Sequence, residues 1–333
     1  MSQRLLLLIN SGIPAPRRVT RVGHFQILLC ALCLSAIPVW GDGHGPAFGY
    51  STTTLGSGDT SVETTMMWRS GVAMISPRVS YGIRENLQLS ISAPFDANSG
   101  EHPVGRFTAM MPGDPELEVL LAWRFFHRLT GISTRNEATL YFGGDALTQR
   151  LPRSDGPSLQ RQPGLYGAIA AGHISRRYNF WAGAGYQHYG SWSSGIDDHQ
   201  SDSFLASLVF GWRPSFLDRE YPKPDLRFFW ETTGEQIGHA WRDAAPVSVG
   251  GGGGGGHDSP PPLPSPNSTG VVFLPNSGGK GAYSGPTFLC TYRSIAFQGG
   301  ILFPLWTQLY GTQPTERFRA VIGVSYFFLG RRK

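Results

Sequence analysis

The chain has 333 residues, with 44 Gly, 25 Pro, 40% hydrophobic and only 15% charged residues. A soluble globular domain carries about 25% charge and about 7% Gly, so both values are displaced; no G-x-y period supports collagen, and 12% aromatics oppose wholesale disorder. The longest nearly unbroken apolar run, Ile27 to Ile37, is too short for the roughly 20 residues of a spanning helix, which argues against a helical membrane protein.

Residues 1–41 hold Arg4, Arg17, Arg18 and Arg21 and no acid, followed by the apolar run, Pro38 and Val39-Trp-Gly41. A basic start, a short apolar stretch and a small residue behind it describe a secretory signal peptide. With it go four cations, so the formal net charge of +5 falls to +1 in the mature chain. The excess that could have pointed to nucleic acid therefore belongs to the leader, and no nucleic-acid partner is expected. Cys30 and Cys33 leave with the signal, so Cys290 alone remains and no internal disulfide can form. Leu29 and Leu32 stand where a lipoprotein signal would want small residues, so no lipid anchor is read. Residues 42–59 are expected to form an N-terminal periplasmic segment.

Beyond residue 60 the period is two. Leu87, Leu89, Ile91, Ala93 and Phe95 point one way while Gln88, Ser90 and Ser92 point the other. Leu117, Val119, Leu121, Trp123 and Phe125 oppose Glu116, Glu118, Ala122 and Arg124, and Phe204, Ala206, Leu208, Phe210 and Trp212 form another apolar face. Near the end, Phe318, Ala320, Ile322, Val324, Tyr326 and Phe328 alternate with Arg317, Arg319, Gly323 and Ser325. About twelve such segments follow one another, near 60–70, 72–82, 86–95, 115–126, 136–147, 163–175, 178–189, 202–213, 225–235, 284–293, 295–306 and 316–329. Their length suits a tilted strand crossing an outer membrane. Tight connections (81–86 and 176–178) alternate with long polar ones (96–114, 148–162 and 190–201), the rim asymmetry of transmembrane barrels. Trp68, Tyr81, Phe95, Phe125, Phe126, Trp181, Trp212, Phe327 and Phe328 lie near strand ends, where interface girdles would place them. The fold class read here is all-β, a transmembrane antiparallel β-barrel of about twelve strands over residues 60–329. A large soluble sandwich or lipocalin-like barrel would show the same alternation. The signal, the large even strand number and the Gly, Ser and Thr on the polar faces favour the membrane barrel.

Residues 245–269 interrupt the pattern with seven consecutive glycines (250–256) and a Pro-rich tract containing His257, a composition that reads as a flexible external loop. Phe328 ends the last alternating run and resembles the C-terminal signal of bacterial outer-membrane barrels. It is followed here by a tail, 330–333, so recognition by the barrel-assembly machinery is expected through a strand that ends inside the chain.

Chemistry is sparse. No nucleophile elbow, zincin pair, Walker loop or dinucleotide fingerprint occurs. His173 and Ser175 share a strand face, the pairing a lipid hydrolase would use, without an identifiable orienting acid. Glu63, Arg69, Arg78, Glu116, Glu118, Arg124, Glu137, Arg227 and Glu231 alternate with apolar neighbours, which makes them candidates to face the lumen, since a charge on the lipid face costs about 2–4 kcal/mol. There they could line an aqueous path or pair across a filled interior. His44, His102, Met110, Met111 and His257 are ligand types for soft metals, but no spacing fixes a site, and neither a metal nor a cofactor is expected.

The segments His44-Gly-Pro46, Met74–Glu85 with Leu87–Ile91, Met110–Leu117 and Trp123-Arg-Phe125 carry a family likeness. So do Tyr178–Tyr186, Phe228–Glu235 and Phe318–Phe328. Together they resemble the outer-membrane transporters grouped under the phenol-degradation meta-pathway label, of the type found beside bacterial metal-resistance genes. The resemblance spans about residues 44–328 and omits the Gly/Pro insert. It implies a barrel, embedded in outer-membrane lipid, that passes a small aromatic or metal-linked solute without being an enzyme. A non-conducting barrel with a filled lumen, and a lipid hydrolase using His173 and Ser175, are the alternatives. The folded protein should need detergent for extraction and should migrate faster unheated than boiled on a gel; full solubility without detergent would contradict the barrel.

Overall fold

The computed structural model of the protein describes residues 45–69, 72–96, 117–146, 164–189, 198–199, 201–215, 224–239, 241–243, 271–273, 278–312 and 315–330. All lie in one compact unit, Pro38–Lys333. The strands are β1 (Thr60–Arg69), β2 (Val72–Arg84), β3 (Leu87–Ser92), β4 (Phe95–Asp96), β5 (Leu117–Gly131), β6 (Thr134–Ala146), β7 (Gly164–Ile174) and β8 (Tyr178–Tyr189). They continue with β9 (Asp198–His199), β10 (Ser203–Trp212), β11 (Asp225–Ile237), β12 (Trp241–Asp243), β13 (Val271–Phe273), β14 (Gly279–Tyr292), β15 (Ile295–Leu309) and β16 (Arg319–Phe328).

Twelve of these close a single antiparallel barrel, in the order β1-β16-β15-β14-β11-β10-β8-β7-β6-β5-β3-β2, with β2 returning to β1. The register of the closing pair runs from Thr60 opposite Tyr81 to Arg69 opposite Val72, and β1 meets β16 from Thr60–Phe328 to Arg69–Arg319. Closure gives each of the twelve strands a paired neighbour on both sides, as a sheet in hydrocarbon requires. β4 adds to β2 beyond β3, and β9, β12 and β13 form a separate small sheet.

The twofold side-chain period sorts the two faces. On β10, Leu208 is 54% exposed and Phe210 51%, whereas Ser207 is 3% and Val209 1%. Leu165, Ile169, Phe180, Trp230, Phe288, Phe297 and Ile322 continue the exposed apolar face around the barrel. Ser80, Ser90, Thr139, Thr233, Thr287 and Ser325 are buried inside it. Short turns (Glu85-Asn86, Ile132-Ser133, Ser175–Arg177, Arg293-Ser294) join strands at one rim, where β1 begins and β16 ends. Most long connections leave from the other, but the 213–224 connection between β10 and β11 lies at the short-turn rim.

Three sequence expectations need correction. Trp181 and Phe327 are only 1% and 4% exposed: they alternate with exposed Phe180 and Phe328 and therefore point into the barrel, not into a girdle. β5 and β6 run to Gly131 and from Thr134, beyond the expected hairpin, because register shifts between Arg124/Phe126 and Leu129/Gly131 break the alternation there. β14 starts at Gly279, in a glycine-rich stretch that carries too few side chains to show a period. The Gly/Pro loop expected at 245–269 lies outside the described residues. Tyr81, Phe125, Phe126, Trp212 and Phe328 are exposed on the outer face.

Because Leu208 sits mid-strand on that face, Leu208→Lys should destabilise the barrel by about 2–4 kcal/mol. Guanidinium unfolding in lipid vesicles, followed by tryptophan emission, measures it; a change below about 0.5 kcal/mol would place this face away from lipid.

Candidate functional site

Residues 45–59 run along the inner wall of the barrel. The segment enters at the short-turn rim, where the Gly58 N–H donates to the Gly82 carbonyl (2.8 Å), the Gly82 N–H to the Asp59 carbonyl (2.9 Å) and the Gly330 N–H to Asp59 Oδ1 (2.9 Å). A Cβ on Gly82 would lie 1.9 Å from the Gly56 carbonyl oxygen, so only glycine lets the chain turn in there. Further along, the Leu55 N–H donates to Gln88 Oε1 (2.9 Å). Thr52, fully buried, lies between Trp181, Glu137 and Thr139. Its hydroxyl accepts from Trp181 Nε1 (3.2 Å) and donates to Glu137 Oε2 (3.1 Å), while Thr139 donates to its carbonyl (2.7 Å). Tyr141 donates to the Ser51 carbonyl.

Mid-lumen, the segment meets a wall built for it. The Tyr50 N–H donates to Ser207 Oγ (3.0 Å), and its hydroxyl accepts from Tyr166 (2.6 Å). The Tyr50 side chain lies against the wall here. Room for it comes from β8: a Cβ on Gly183 would lie 2.7 Å from the Tyr50 Cβ, and one on Gly185 2.3 Å from its hydroxyl. Beyond Tyr50 the chain bends over Glu231, which is 0% exposed. Its Oε1 accepts the Ala47 N–H (2.7 Å), and its Oε2 accepts those of Phe48 and Gly49 (2.8 Å each). Thr287 donates a fourth hydrogen bond from the wall. Three successive backbone N–H groups converging on one carboxylate form an anion-binding nest, here closed on the barrel's own side chain.

Two further layers flank this centre. Towards the short turns, Leu55 packs in a buried apolar cluster with Ile174, Trp181, Val209, Phe229, Leu289, Ala296 and Phe327. Towards the long loops, Arg69 and Arg319 share Glu235 and Glu316 in a nearly solvent-free cluster: Arg69–Glu235 is 2.5 Å, Arg69–Glu316 3.4 Å and Arg319–Glu316 2.8 Å. The Arg319 guanidinium also lies 3.4 Å from the Tyr283 ring centroid.

The remaining lumen candidates fall as follows. Glu137 is 2% exposed and collects Arg124 (3.1 Å) and Arg135 (3.0 Å) besides Thr52. Glu63 accepts from Gln298 (3.0 Å), and Glu118 from Ser92 (2.6 Å). Arg78 stands opposite Glu63 in the β1–β2 register, and Arg227 pairs with Asp225 (2.8 Å). Glu116, His44, His102, Met110, Met111 and His257 lie outside the described residues. The centres that alternation did not single out are Glu235 and Glu316, and the segment itself, whose residues 45–58 are uncharged and give no periodic signal. His173 and Ser175 are engaged separately. His173 Nδ1 meets Asn136 Oδ1 (2.7 Å); Ser175 Oγ donates to the Tyr178 carbonyl (2.6 Å) and accepts its N–H (3.1 Å), closing the β7–β8 turn.

No family model matches the chain, and no curated protein does. Solved structures do. An outer membrane channel from Pseudomonas putida F1 is similar at TM-score 0.52 and 12% identity, covering 86% of this chain and 100% of that one. NanC porin (TM-score 0.42, 9% identity, covering 80% and 98%) and LpxR from Salmonella typhimurium (0.39, 11%, 80% and 100%) are less similar. The first likeness shows the fold, that of an outer-membrane barrel.

Removing one carboxylate from the upper cluster leaves two buried guanidinium groups on the other. Glu235→Gln should therefore cost about 3 kcal/mol of stability, against less than about 0.5 kcal/mol for Arg84→Gln on the exposed rim, both read from unfolding midpoints.

Proposed function

We propose that this protein is an outer-membrane channel for a small solute whose lumen is closed, in the state described, by its own N-terminal segment. The observation that carries the reading is the wall itself. Glu231, Ser207, Thr139, Tyr141 and Gln88 all spend their polar groups on residues 47–55. A twelve-strand barrel is wider than the eight-strand ones that side chains fill. Here the excess width is taken by a strip of chain tied covalently to the wall only through β1. Hydrogen bonds to water can replace such contacts at a net cost of about 1 kcal/mol each, so the strip can leave while a side-chain core cannot.

In this reading the short-turn rim faces the periplasm, the chain is exported by its leader, and assembly uses β16 ending at Phe328. The resemblance to phenol-pathway transporters points to an aromatic or metal-linked solute, and the inward rings of Trp181 and Phe229 support an aromatic one. The second reading, a filled and non-conducting barrel, is favoured by the apolar cluster at the short-turn end, seven of whose members belong to the wall and only Leu55 to the segment.

Gly49→Pro separates the two. Proline at 49 removes one N–H from Glu231, and its Cβ would meet Val209 Cγ2 at 2.6 Å, so the segment loosens while the wall stays intact. In planar bilayers the wild-type protein should show rare or small openings and the variant frequent, larger ones. Silence from both, with folded protein confirmed by gel mobility, would support the filled barrel.

A further inference from the structure

We infer that the wall around Glu231 is a binding site for small organic cations, an ammonium or guanidinium group carried on an aromatic or apolar body, and that the N-terminal segment occupies it in their place. The inference rests on the channel reading for its physiological meaning, though not for its chemistry. Among the described residues Glu231 has no ion-pair partner: its four hydrogen bonds come from three backbone N–H groups and one hydroxyl. Its cross-strand neighbours are Val209 on β10 and Gly285 on β14, and Ser207 and Thr287 stand beside them. The nearest inward charges on its own strand are already committed, Arg227 to Asp225 and Glu235 to Arg69 and Arg319.

When the segment leaves, Glu231 keeps Thr287 and loses three donors. A buried carboxylate with empty acceptor sites is costly. An ammonium group restores three N–H donors and a guanidinium restores a parallel pair, each adding the full charge that backbone amides lack. An anion would be repelled, and an alcohol would return a single donor. The aromatic body has a place as well. Phe229 lies two residues along the same inner face, its ring centroid 5.8 Å from that of Trp181, and both are buried. The segment itself has this shape, a fan of N–H donors followed by the Tyr50 ring.

The probes are benzylammonium, benzyl alcohol and benzoate, added to detergent-purified full-length protein and followed by calorimetry. Benzylammonium should bind Gly49→Pro, and about tenfold or more weakly to Gly49→Pro/Glu231→Gln, since a charge-assisted hydrogen bond is lost. It should also bind wild-type protein at least about tenfold more weakly than Gly49→Pro, because the segment must be displaced first; this comparison decides the matter if the double variant does not fold. Benzoate and benzyl alcohol should not bind measurably. Equal benzylammonium affinity in Gly49→Pro and wild type, equal affinity with and without Glu231, comparable benzoate binding, or no benzylammonium binding would overturn the inference. Binding that depends on Glu231 in a barrel silent in bilayers would defeat the channel reading and leave the site standing. Current without such binding would do the reverse.

Discussion

A strand in hydrocarbon can satisfy its backbone only on another strand, and twelve strands that do so in a ring enclose a space their side chains do not fill. The rest of the molecule answers that constraint. The outer face is apolar because it has no water to meet. The inner face must either hold water or spend its polar groups on something else, and in this chain much of it is spent on the residues that precede β1.

The interior is graded along its length. Apolar side chains converge near the short turns beside the Glu137–Arg124–Arg135 group, Glu231 faces the segment in the middle among Ser, Thr and Tyr hydroxyls, and a cluster of two arginines and two glutamates lies towards the long loops. The grading follows from where charge can be balanced. Arg69 and Arg319 sit on the adjoining strands β1 and β16 and face each other in register, a repulsive arrangement unless carboxylates intervene. Glu235 and Glu316 supply them. Glu137 plays the same part lower down for Arg124 and Arg135. Glu231 has no such cation among the described residues, and backbone N–H groups are what the segment offers it.

The barrel was legible in the sequence because alternation is a local property: Leu87 to Ser92 or Ser203 to Trp212 announce their two faces without help from any other strand. Glu137 and Glu231 could be assigned inward on the same ground. Their partners could not. Glu231 meets residues about 180 positions away and Glu235 meets Arg69 at a separation of 166, distances set by the order in which strands close the ring. Trp181 and Phe327 show the complementary failure. Their nearness to strand ends suggested a girdle, and the parity of their neighbours, also present in the sequence, was the better guide. The segment 45–58 was opaque for a different reason. Gly, Pro, Ser and Thr give no period, and a chain that lies against side chains instead of strands needs none.

That same composition bears on whether the lumen can open. From Gly45 to Gly58 the segment carries no charged side chain. All ionised groups of the contact belong to the wall, so withdrawal strips no ion pair from the segment and buries no charge elsewhere. Water entering behind it would rehydrate Glu231 and Glu137, and Glu137 would keep Arg124 and Arg135 throughout. The opposing terms are the loss of Leu55 from the apolar cluster, worth about 1.5–3 kcal/mol for full exposure, and the exposure of the Tyr50 ring. The backbone freedom regained by some ten residues, about 1–2 kcal/mol each, works the other way. Large terms of opposite sign over a short, uncharged strip are what a removable closure requires, and a permanent core of charged or interlocked side chains would have been built differently.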